Sequence, residues 1–504
     1  MDRTNLIDLM TPPRGFCFAC GAGMVYSADE KTVGAMLRAL NVAYDARARE
    51  RFERGESFRL FVQQGNYDGA ARNFLTAVAP REGCLHAKVF CLRFERGDEC
   101  AVRVLAASAN LTNADELNVY AQIDRTGDAA ETLWNALSVT PRAWDEEDPE
   151  TAVRGLLHRC AEQTGLIPVT KETLAALERE AESAEKTLVV SPFLTAGVLR
   201  RLFAGSGEKY LVTRAEALRT AGPLPKDVSV LTLESRDGGD DLAAALHAKL
   251  YAFESGGKTV LCLGSANATA SAFAKNIEVL ARLEEKRGVI DAIVSAFTLC
   301  EGAAAQEADG ALIEEKEFDA ACRDILASFR AQEGKYRAEA PAGWRLALDG
   351  REGVRGGTAV CWEKTGARRR AAKLTVRDEK GHEKTISLLL AGEPLPVDRE
   401  ALERGADAAV AEALRSALRT RATSDGAREA VGRHGARSAD APDDSLPRVL
   451  GDIDTPEAAH RAARALETIA EGLPENDARR ACLAGIAGQV RAVWADCRPK
   501  EGTV

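Results

Sequence analysis

An internal duplication constrains the fold of this chain more than any other feature of its sequence. Residues 81–124 read REGCLHAKVFCLRFERGDECAVRVLAASANLTNADELNVYAQID, and residues 241–283 read DLAAALHAKLYAFESGGKTVLCLGSANATASAFAKNIEVLARL. Each segment passes in the same order through His-Ala-Lys, an apolar stretch, a polar turn, a second apolar stretch, Ser-Ala-Asn and a third apolar stretch. Because repeated units fold alike, we expect two copies of one structural unit in the chain.

The sequence around each copy alternates between strand-like and helix-like patterns. The segments GFCFACGAG and FRLFVQQG precede the first copy as strands, and KTLVVSPFL, KYLVTR and DVSVLTL precede the second. Helical stretches separate these strands and also follow each copy. Such alternation predicts an α/β fold that consists of two pseudo-symmetric α/β/α layers, each with its own sheet.

Beyond the second copy the pattern changes to a small β-rich module and then to C-terminal helices. The runs TAVCWEK, KLTVRD and TISLLL predict strands, and a later stretch rich in Gly, Ser, Asp and Pro predicts a linker. The predicted units are repeat 1 (1–155), repeat 2 (156–302), a helical connector (303–340), the β-rich module (341–421), the linker (422–447) and a helical C-terminal region (448–504).

Polar residues of four types recur at matching places in the two copies. Side chains two positions apart on a strand point to the same face, so each copy is expected to gather an imidazole, an ammonium, a hydroxyl and a carboxamide. These residues are His86, Lys88, Ser108 and Asn110 in the first copy and His247, Lys249, Ser265 and Asn267 in the second. The other four histidines have no comparable context and are expected to be surface or structural residues.

This set of side chains suits chemistry at a phosphodiester. Lysine supplies a positive charge for phosphate oxygens, and asparagine and serine donate hydrogen bonds. One histidine can attack phosphorus while the other protonates the leaving oxygen and then activates water. The lysines and amides would stabilise the charge that develops in the transition state. We therefore expect no metal ion and no cofactor.

The paired H-x-K and S-x-N pattern resembles the phospholipase D superfamily with its two HKD motifs, over roughly residues 15–300. The family pattern is H-x-K-x4-D-x6-G-S-x-N, and here Arg93 and Glu254 replace its aspartate while Ala107 replaces its first-copy glycine. The tyrosyl-DNA phosphodiesterase branch also lacks this aspartate. The resemblance therefore implies a nuclease-like enzyme more than one that cleaves lipids.

The family also carries an N-x-E shortly after Ser-x-Asn, which Asn276-Ile277-Glu278 matches. In the first copy we align Asn118-Val119-Tyr120 with it, and this stretch lacks the acid. We expect Glu278 to support His247 as the general acid, which leaves His86 as the nucleophile. The resemblance likewise implies that the N-terminal histidine attacks. The expected catalytic residues are His86, Lys88, Asn110, His247, Lys249, Asn267 and Glu278, and Ser108 and Ser265 are expected to bind phosphate.

The charge of the chain limits how it can bind a polyanion. With 67 Lys and Arg against 77 Asp and Glu the net charge is −10, so a nucleic-acid site must be a local basic patch. The run ARRRAAK (367–373) in the β-rich module is the best candidate, with Trp344 and Trp362 near it for base stacking. A solvated strand end explains the same run equally well.

These observations together predict a cytoplasmic phosphodiesterase that acts on nucleic acid, DNA above all. The first residues have no apolar secretory signal, no stretch of about 18 apolar residues occurs, and the 12 cysteines lack regular spacing. We therefore expect reduced thiols and no membrane insertion, and we leave the oligomeric state open. The alternatives are a phospholipid hydrolase or phosphatidyltransferase, and a catalytically silent scaffold that binds nucleic acid.

Overall fold

A computed structural model describes most of the chain. The described residues are 5–112, 116–145, 147–221, 224–225, 227–232, 246–299, 310–332, 334–364, 366, 368–419, 446–451, 453, 455–475 and 477–495. Most of the predicted linker (422–447) therefore lies outside the described residues.

The first layer is a six-stranded sheet flanked by helices. Its strands and an adjoining two-stranded ribbon are β1 (Cys17–Val25), β2 (Ala28–Asp29), β3 (Phe58–Gln63), β4 (Tyr67–Asp68), β5 (Leu75–Val78), β6 (Val89–Arg96), β7 (Glu99–Ala107) and β8 (Tyr120–Thr126). The helices are α1 (Leu6–Leu9), α2 (Glu30–Ala39), α3 (Ala46–Glu53), α4 (Asp128–Leu137) and α5 (Pro149–Thr164). The strand order is β5-β3-β1-β6-β7-β8, while β2 pairs with β4.

The second layer has the same plan with one extra strand at each edge. Its strands are β9 (Leu166–Pro168), β10 (Lys186–Val190), β11 (Glu208–Val212), β12 (Val228–Thr232), β13 (Leu250–Ser255), β14 (Lys258–Gly264), β15 (Val279–Lys286) and β16 (Thr298–Leu299). The helices are α6 (Lys171–Ser183), α7 (Ala196–Leu202), α8 (Ala215–Ala221), α9 (Ala270–Ala274) and α10 (Val289–Val294). The strand order is β16-β12-β11-β10-β13-β14-β15-β9.

The two sheets repeat each other in direction as well as in order. β1 is parallel to β3 and antiparallel to β6, and β10 is parallel to β11 and antiparallel to β13. In each layer the HAK-bearing chain enters the central antiparallel strand, and two hairpin ladders follow it. The expectation of an α/β fold with two pseudo-symmetric layers is thus confirmed.

One apolar core joins the layers and holds the ends of these central strands together. It includes Leu85 and Val104 from the first layer and Leu246, Ile277 and Val279 from the second. Separate clusters lie on the outer side of each sheet. Burial of both sheet faces explains why β1, β3 and β10 read as nearly continuous apolar runs rather than as alternating ones.

The remaining chain forms a β-rich module and a helical region. The module contains α11 (Gly310–Ser328), β17 (Arg330–Gln332), β18 (Lys335–Glu339), β19 (Arg345–Leu348), β20 (Arg351–Glu352), β21 (Val354–Gly356), β22 (Ala359–Glu363), β23 (Arg370–Arg377) and β24 (Glu383–Leu390). Two four-stranded sheets result, β17-β18-β22-β21 and β20-β19-β23-β24. The later helices are α12 (Arg399–Arg419), α13 (Leu446–Gly451), α14 (Pro456–Glu471) and α15 (Ala478–Ala495).

Three of the predicted boundaries need correction. The helical connector ends at Ser328, because Tyr336 and Ala338 alternate with exposed residues and pack as a strand into the module core. The β-rich module ends at Leu390, because residues 399–419 form an amphipathic helix. The boundary at 155/156 falls inside α5, one continuous helix whose buried side chains lie in the core that joins the two layers.

In the part of the chain that the structure describes, no helix combines the length and the apolar character that crossing a bilayer requires.

Gly83 allows the two layers to approach each other, and this contact can be tested. It has φ +70°, and a Cβ there would lie 2.5 Å from the backbone carbonyl of Lys275 and 2.8 Å from the nitrogen of Asn276. Gly97 has φ +55° but open space around it. We predict that Gly83→Ala destabilises the protein by about 2–4 kcal/mol in urea unfolding and Gly97→Ala by about 1 kcal/mol. Equal losses would contradict this close approach.

Candidate active site

The two His-Ala-Lys segments lie side by side where the layers meet. His86 and Lys88 occupy the extended segment just before β6, and His247 and Lys249 occupy the matching segment before β13. The sequence places them within strands, whereas the structure places them at the strand entrances. The backbone N–H of His86 donates to the carbonyl of Ile277 (2.9 Å), so a segment of one layer is bonded to the other.

Each imidazole is oriented by a side chain of the opposite layer. His86 Nδ1 lies 2.8 Å from Glu278 Oε2, and His247 Nδ1 lies 3.1 Å from Asn118 Oδ1. Because both Nδ1 atoms are engaged, each Nε2 remains for a substrate. The expectation that Glu278 supports His247 is wrong: the carboxylate contacts His86. The exchange between layers could not be seen in the sequence, where Glu278 follows His247.

The two serines hold the orienting side chains in place by hydrogen bonds, and these bonds show which residues of the two copies are equivalent. Ser108 Oγ donates to Asn118 Oδ1 at 2.8 Å, and Ser265 Oγ donates to Glu278 Oε2 at 2.5 Å. Asn118 therefore stands in the first copy where Glu278 stands in the second. Both serines lie fully buried beneath the histidines. In this structure they hold the orienting side chains, and their expected contact with phosphate stays a prediction.

The first copy does contain an acid, Glu116, four residues before Tyr120, the position at which we looked for it. Glu116-Leu117-Asn118 occupies the position of Asn276-Ile277-Glu278, so the alignment with Asn118-Val119-Tyr120 is wrong by two residues. Oε2 of Glu116 lies 3.4 Å from His247 Nδ1. The carboxylate and the carboxamide have exchanged places between the copies. Sequence reasoning missed Glu116, although the order E-x-N against N-x-E was readable.

Both lysines are buried without a close counter-charge. Lys88 and Lys249 have no exposed surface, and each Nζ donates to the carbonyl of the histidine two residues before it, at 2.7 and 2.6 Å. Neither forms an ion pair with a residue that the structure describes. Burial lowers the pKa of Lys88 to about 8 and holds that of Lys249 well below its ordinary value. A buried ammonium costs several kcal/mol unless an anion compensates it.

The same burial keeps the imidazoles uncharged. Burial lowers the pKa of His86 to about 4, with the Glu278 carboxylate opposing and the Lys88 charge reinforcing the shift. Burial and the charges of Lys249 and Lys88 also lower the pKa of His247. Burial by itself would raise the pKa of Glu278. His86 and Lys88 outweigh burial, so the pKa lies below its ordinary value and Glu278 remains a carboxylate. Each layer's lysine thus acts on the other layer's histidine.

The side-chain oxygens of the two asparagines differ in their hydrogen bonding. Asn110 is half-buried, and its Oδ1 accepts from the Ser27 N–H at 3.3 Å. Asn267 is only 8% exposed, and its Oδ1 has no partner among the described residues. A buried polar group without a partner marks a place where a ligand can supply the missing bond.

Tyr26, which sequence reasoning also missed, lies against the first histidine. Its ring centroid is 5.1 Å from that of His86, and Lys88 Nζ is 5.5 Å from the ring. Tyr26 follows the last residue of β1. No sequence pattern distinguishes it from an ordinary residue at the end of a strand.

The residues that replace the family aspartate lie outside the site. Arg93 binds Glu131 with two hydrogen bonds of 2.7 and 3.0 Å, and Glu254 accepts from the Gly288 N–H at 2.7 Å. Both stand five residues beyond the lysine of their copy, about 16 Å along a strand. Both side chains therefore form structural contacts at the ends of the sheets that lie away from the histidines.

The basic run of the module is largely bonded within the protein. Arg370 forms an ion pair with Asp349 (2.5 Å), and Arg369 donates to the Asn73 carbonyl (2.9 Å). Trp362 is buried and donates its Nε1–H to the Arg351 carbonyl, so its suggested use in base stacking is wrong. Trp344 packs against Phe318 in the module.

The charge state of His86 gives a direct test of this electrostatic environment. We predict that its ring titrates with a midpoint of about 4, and that Glu278→Gln lowers the midpoint further because the carboxylate favours the imidazolium. NMR of histidine-labelled protein measures both, with His86→Asn identifying the resonance. A midpoint near 6.5, or an increase in the Gln variant, would refute this account of the site.

Comparison with known proteins adds little to these observations. No protein-family model and no curated protein matches the chain. Among solved structures, the chain is similar to the polyphosphate kinase from Porphyromonas gingivalis, with 14% identity and a TM-score of 0.36. The match covers 62% of this chain and 50% of that chain. The chain thus spans half the length of the kinase, and so distant a similarity says nothing about activity.

Proposed function

We propose that this protein is a phosphodiesterase of the phospholipase D type that cleaves nucleic acid through a phosphohistidine. One observation carries the proposal: two buried lysines, which have no ion-pair partner among the described residues, accompany two imidazoles whose Nδ1 atoms are both engaged. Such a site favours a singly charged phosphodiester, because the ammonium groups then regain a counter-charge. Two histidines with available Nε2 atoms supply both a nucleophile and a proton donor.

In the first step His86 attacks phosphorus. The Nε2 lone pair forms the N–P bond while Glu278 accepts the Nδ1–H and stabilises the positive charge that develops on the ring. His247 takes up a proton from solvent at Nε2 when the substrate anion binds. The bond from phosphorus to the leaving oxygen then breaks, and that oxygen takes this proton, which leaves His247 neutral. A bound phosphodiester anion raises the pKa of His247 toward the range needed for this transfer.

The Glu278 carboxylate supports His86 as the nucleophile for a different reason from the one that the sequence suggested. We expected the histidine without a carboxylate to be the nucleophile, but Glu278 orients His86 and keeps its proton on Nδ1. A hydrogen bond of this kind fixes the tautomer with an unprotonated Nε2, the form that can attack. The nearest Nδ1 partner of His247 is the neutral Asn118 (3.1 Å), with the Glu116 carboxylate farther away (3.4 Å), so His247 can gain a proton and lose it again.

In the second step water breaks the intermediate. Neutral His247 takes a proton from the water, the water oxygen forms a bond to phosphorus, and the N–P bond breaks to regenerate His86. Lys88 and Lys249 can each donate further hydrogen bonds to the phosphoryl oxygens, and Asn110 and Asn267 add their amides. Because these groups are fixed before substrate arrives, they stabilise developing charge without reorganisation.

Nucleic acid is the substrate class we propose, with phospholipid as the second candidate. A lipid enzyme needs an apolar surface or helix that enters the bilayer interface. The helices that the structure describes pack their apolar faces into the cores of the layers, the module and the helical region. A silent scaffold that binds nucleic acid remains the third candidate, but it leaves the two oriented histidines without a use.

The proposal is tested by cleavage of labelled single- and double-stranded DNA, RNA and phosphatidylcholine in excess EDTA. We predict that a nucleic acid is cleaved without metal and that His86→Asn lowers kcat by about 10³-fold or more. His158→Asn is the matched control, since that side chain is 73% exposed on α5 and should leave the rate unchanged.

Three results would contradict this function: activity that EDTA abolishes, activity that survives His86→Asn, or turnover of the lipid alone. Binding of DNA with no cleavage by the wild-type protein would favour the silent scaffold.

A further inference from the structure

Exposed apolar side chains concentrate beside His247. Among the residues that the structure describes, four large hydrophobic side chains are exposed: Leu117 (44%), Phe193 (45%), Leu283 (40%) and Val354 (77%). The backbone carbonyl of Leu117 accepts the N–H of His247 at 3.0 Å. Phe193 is connected to the same place through Arg214, so two of the four border the candidate site.

Arg214 joins Phe193 to the histidine segment. Its Nε donates to the carbonyl of Leu246, the residue before His247, at 2.6 Å. Its guanidinium carbon lies 5.8 Å from the centroid of the Phe193 ring, and Nη2 lies 3.9 Å from Glu116. The exposed ring therefore has a cation near it, and that cation also contacts the segment that carries His247.

The loop that carries Phe193 is fixed against the second Ser-Ala-Asn segment. Ser191 Oγ donates to the carbonyl of Phe193 (2.7 Å) and accepts from the Ala268 N–H (2.9 Å). Thr195 donates its N–H to the Ala268 carbonyl at 2.9 Å. Because Ala268 follows Asn267, the ring is held at a set position relative to that carboxamide.

The first layer also carries an aromatic ring in the matching loop. Tyr26 follows β1 and packs against His86, while Phe193 follows β10, the equivalent strand of the second layer. The two rings thus come from matching loops, and Phe193 aligns with Ser27, the residue after Tyr26, because the bridges Ala28–Leu111 and Leu194–Ala268 are equivalent. Tyr26 is half-buried, whereas Phe193 presents its ring to solvent.

We infer that Phe193, supported by Arg214, is a stacking platform for an unpaired nucleobase on the leaving-group side of the scissile phosphate. This inference rests on the proposed function and narrows its substrate to single-stranded nucleic acid. Aromatic rings stack on any base, and a guanidinium strengthens such a site. Bases within a duplex are already stacked on each other and cannot lie on the ring.

A lipid tail fits this surface less well than a base does. Insertion into a membrane interface uses a broad apolar face, whereas here one ring and one leucine adjoin the charged Arg214 and Glu116. A planar base covers the ring and leaves these charges at its polar edge.

The test compares two 15-mers of equal backbone charge in excess EDTA: oligothymidine and an oligomer of abasic sites. We predict that wild-type protein cleaves oligothymidine with a kcat/KM about tenfold higher, and cleaves it faster than the same strand paired with oligoadenosine. Phe193→Ala should reduce the preference for bases to less than about twofold, and Phe193→Trp should retain it. Val354→Ala is the control, an exposed apolar residue of the β-rich module.

Each outcome has a distinct meaning. Equal cleavage of the two 15-mers by wild-type protein, faster cleavage of the duplex, or an undiminished preference in Phe193→Ala overturns the platform but leaves the phosphodiesterase intact. A failure to cleave either 15-mer, the duplex or the RNA used above rejects the proposed function itself. If Phe193→Ala slows only the hydrolysis of phosphatidylcholine vesicles, the ring serves a lipid and the inference is wrong.

Discussion

The exchange of hydrogen bonds between the two layers is the interaction on which the site depends. Each layer supplies one histidine and the side chain that orients the other histidine. Parallel backbone bridges, Leu85 with Ile277 and Leu117 with Leu246, hold the exchanging segments in register. A single layer would lack the partner of its own imidazole, so the duplication brings together both parts of each pair.

The copies share a frame but differ in charge where it matters for chemistry. Glu278 on His86 and Asn118 on His247 stand at equivalent positions, so a symmetric scaffold gives its two histidines unequal partners. A carboxylate at 2.8 Å holds His86 as a neutral nucleophile with a fixed tautomer, while His247 has a carboxamide at 3.1 Å and the Glu116 carboxylate only at 3.4 Å. The proposed division of labour arises from this difference in the closest partner of each ring.

The buried lysines of the site lower the stability of the folded protein. Lys88 and Lys249 lie in the layer interface with only carbonyl partners, and the histidines beside them are kept uncharged. Residues that serve stability alone would avoid such a cluster. A phosphodiester bound among them would give both lysines a counter-charge, so the free energy lost in folding would be regained on binding.

The sequence predicts the duplicated layers and most site residues because they follow local rules. Alternating elements, the repeat and the spacing of His86 to Lys88 or Ser265 to Asn267 are all visible within short stretches. The pairing of Glu278 with His86 is not, because it depends on which layer a loop enters. Tyr26 and Phe193 were missed for the same reason. The role of an aromatic residue after a strand depends on the residues that it contacts in the fold, here His86 and Arg214. The β-rich module was harder still, since its first strands follow a helix with no turn signal.

The most direct test of the shared site is a crystal structure of the protein with orthovanadate, which adopts the geometry of a phosphoryl group in transfer. The account predicts one vanadate between the layers, bonded to His86 Nε2, facing His247 Nε2 and within hydrogen-bonding distance of both lysine Nζ atoms. Vanadate bound to one layer alone, or imidazoles whose Nε2 atoms face different spaces, would contradict it.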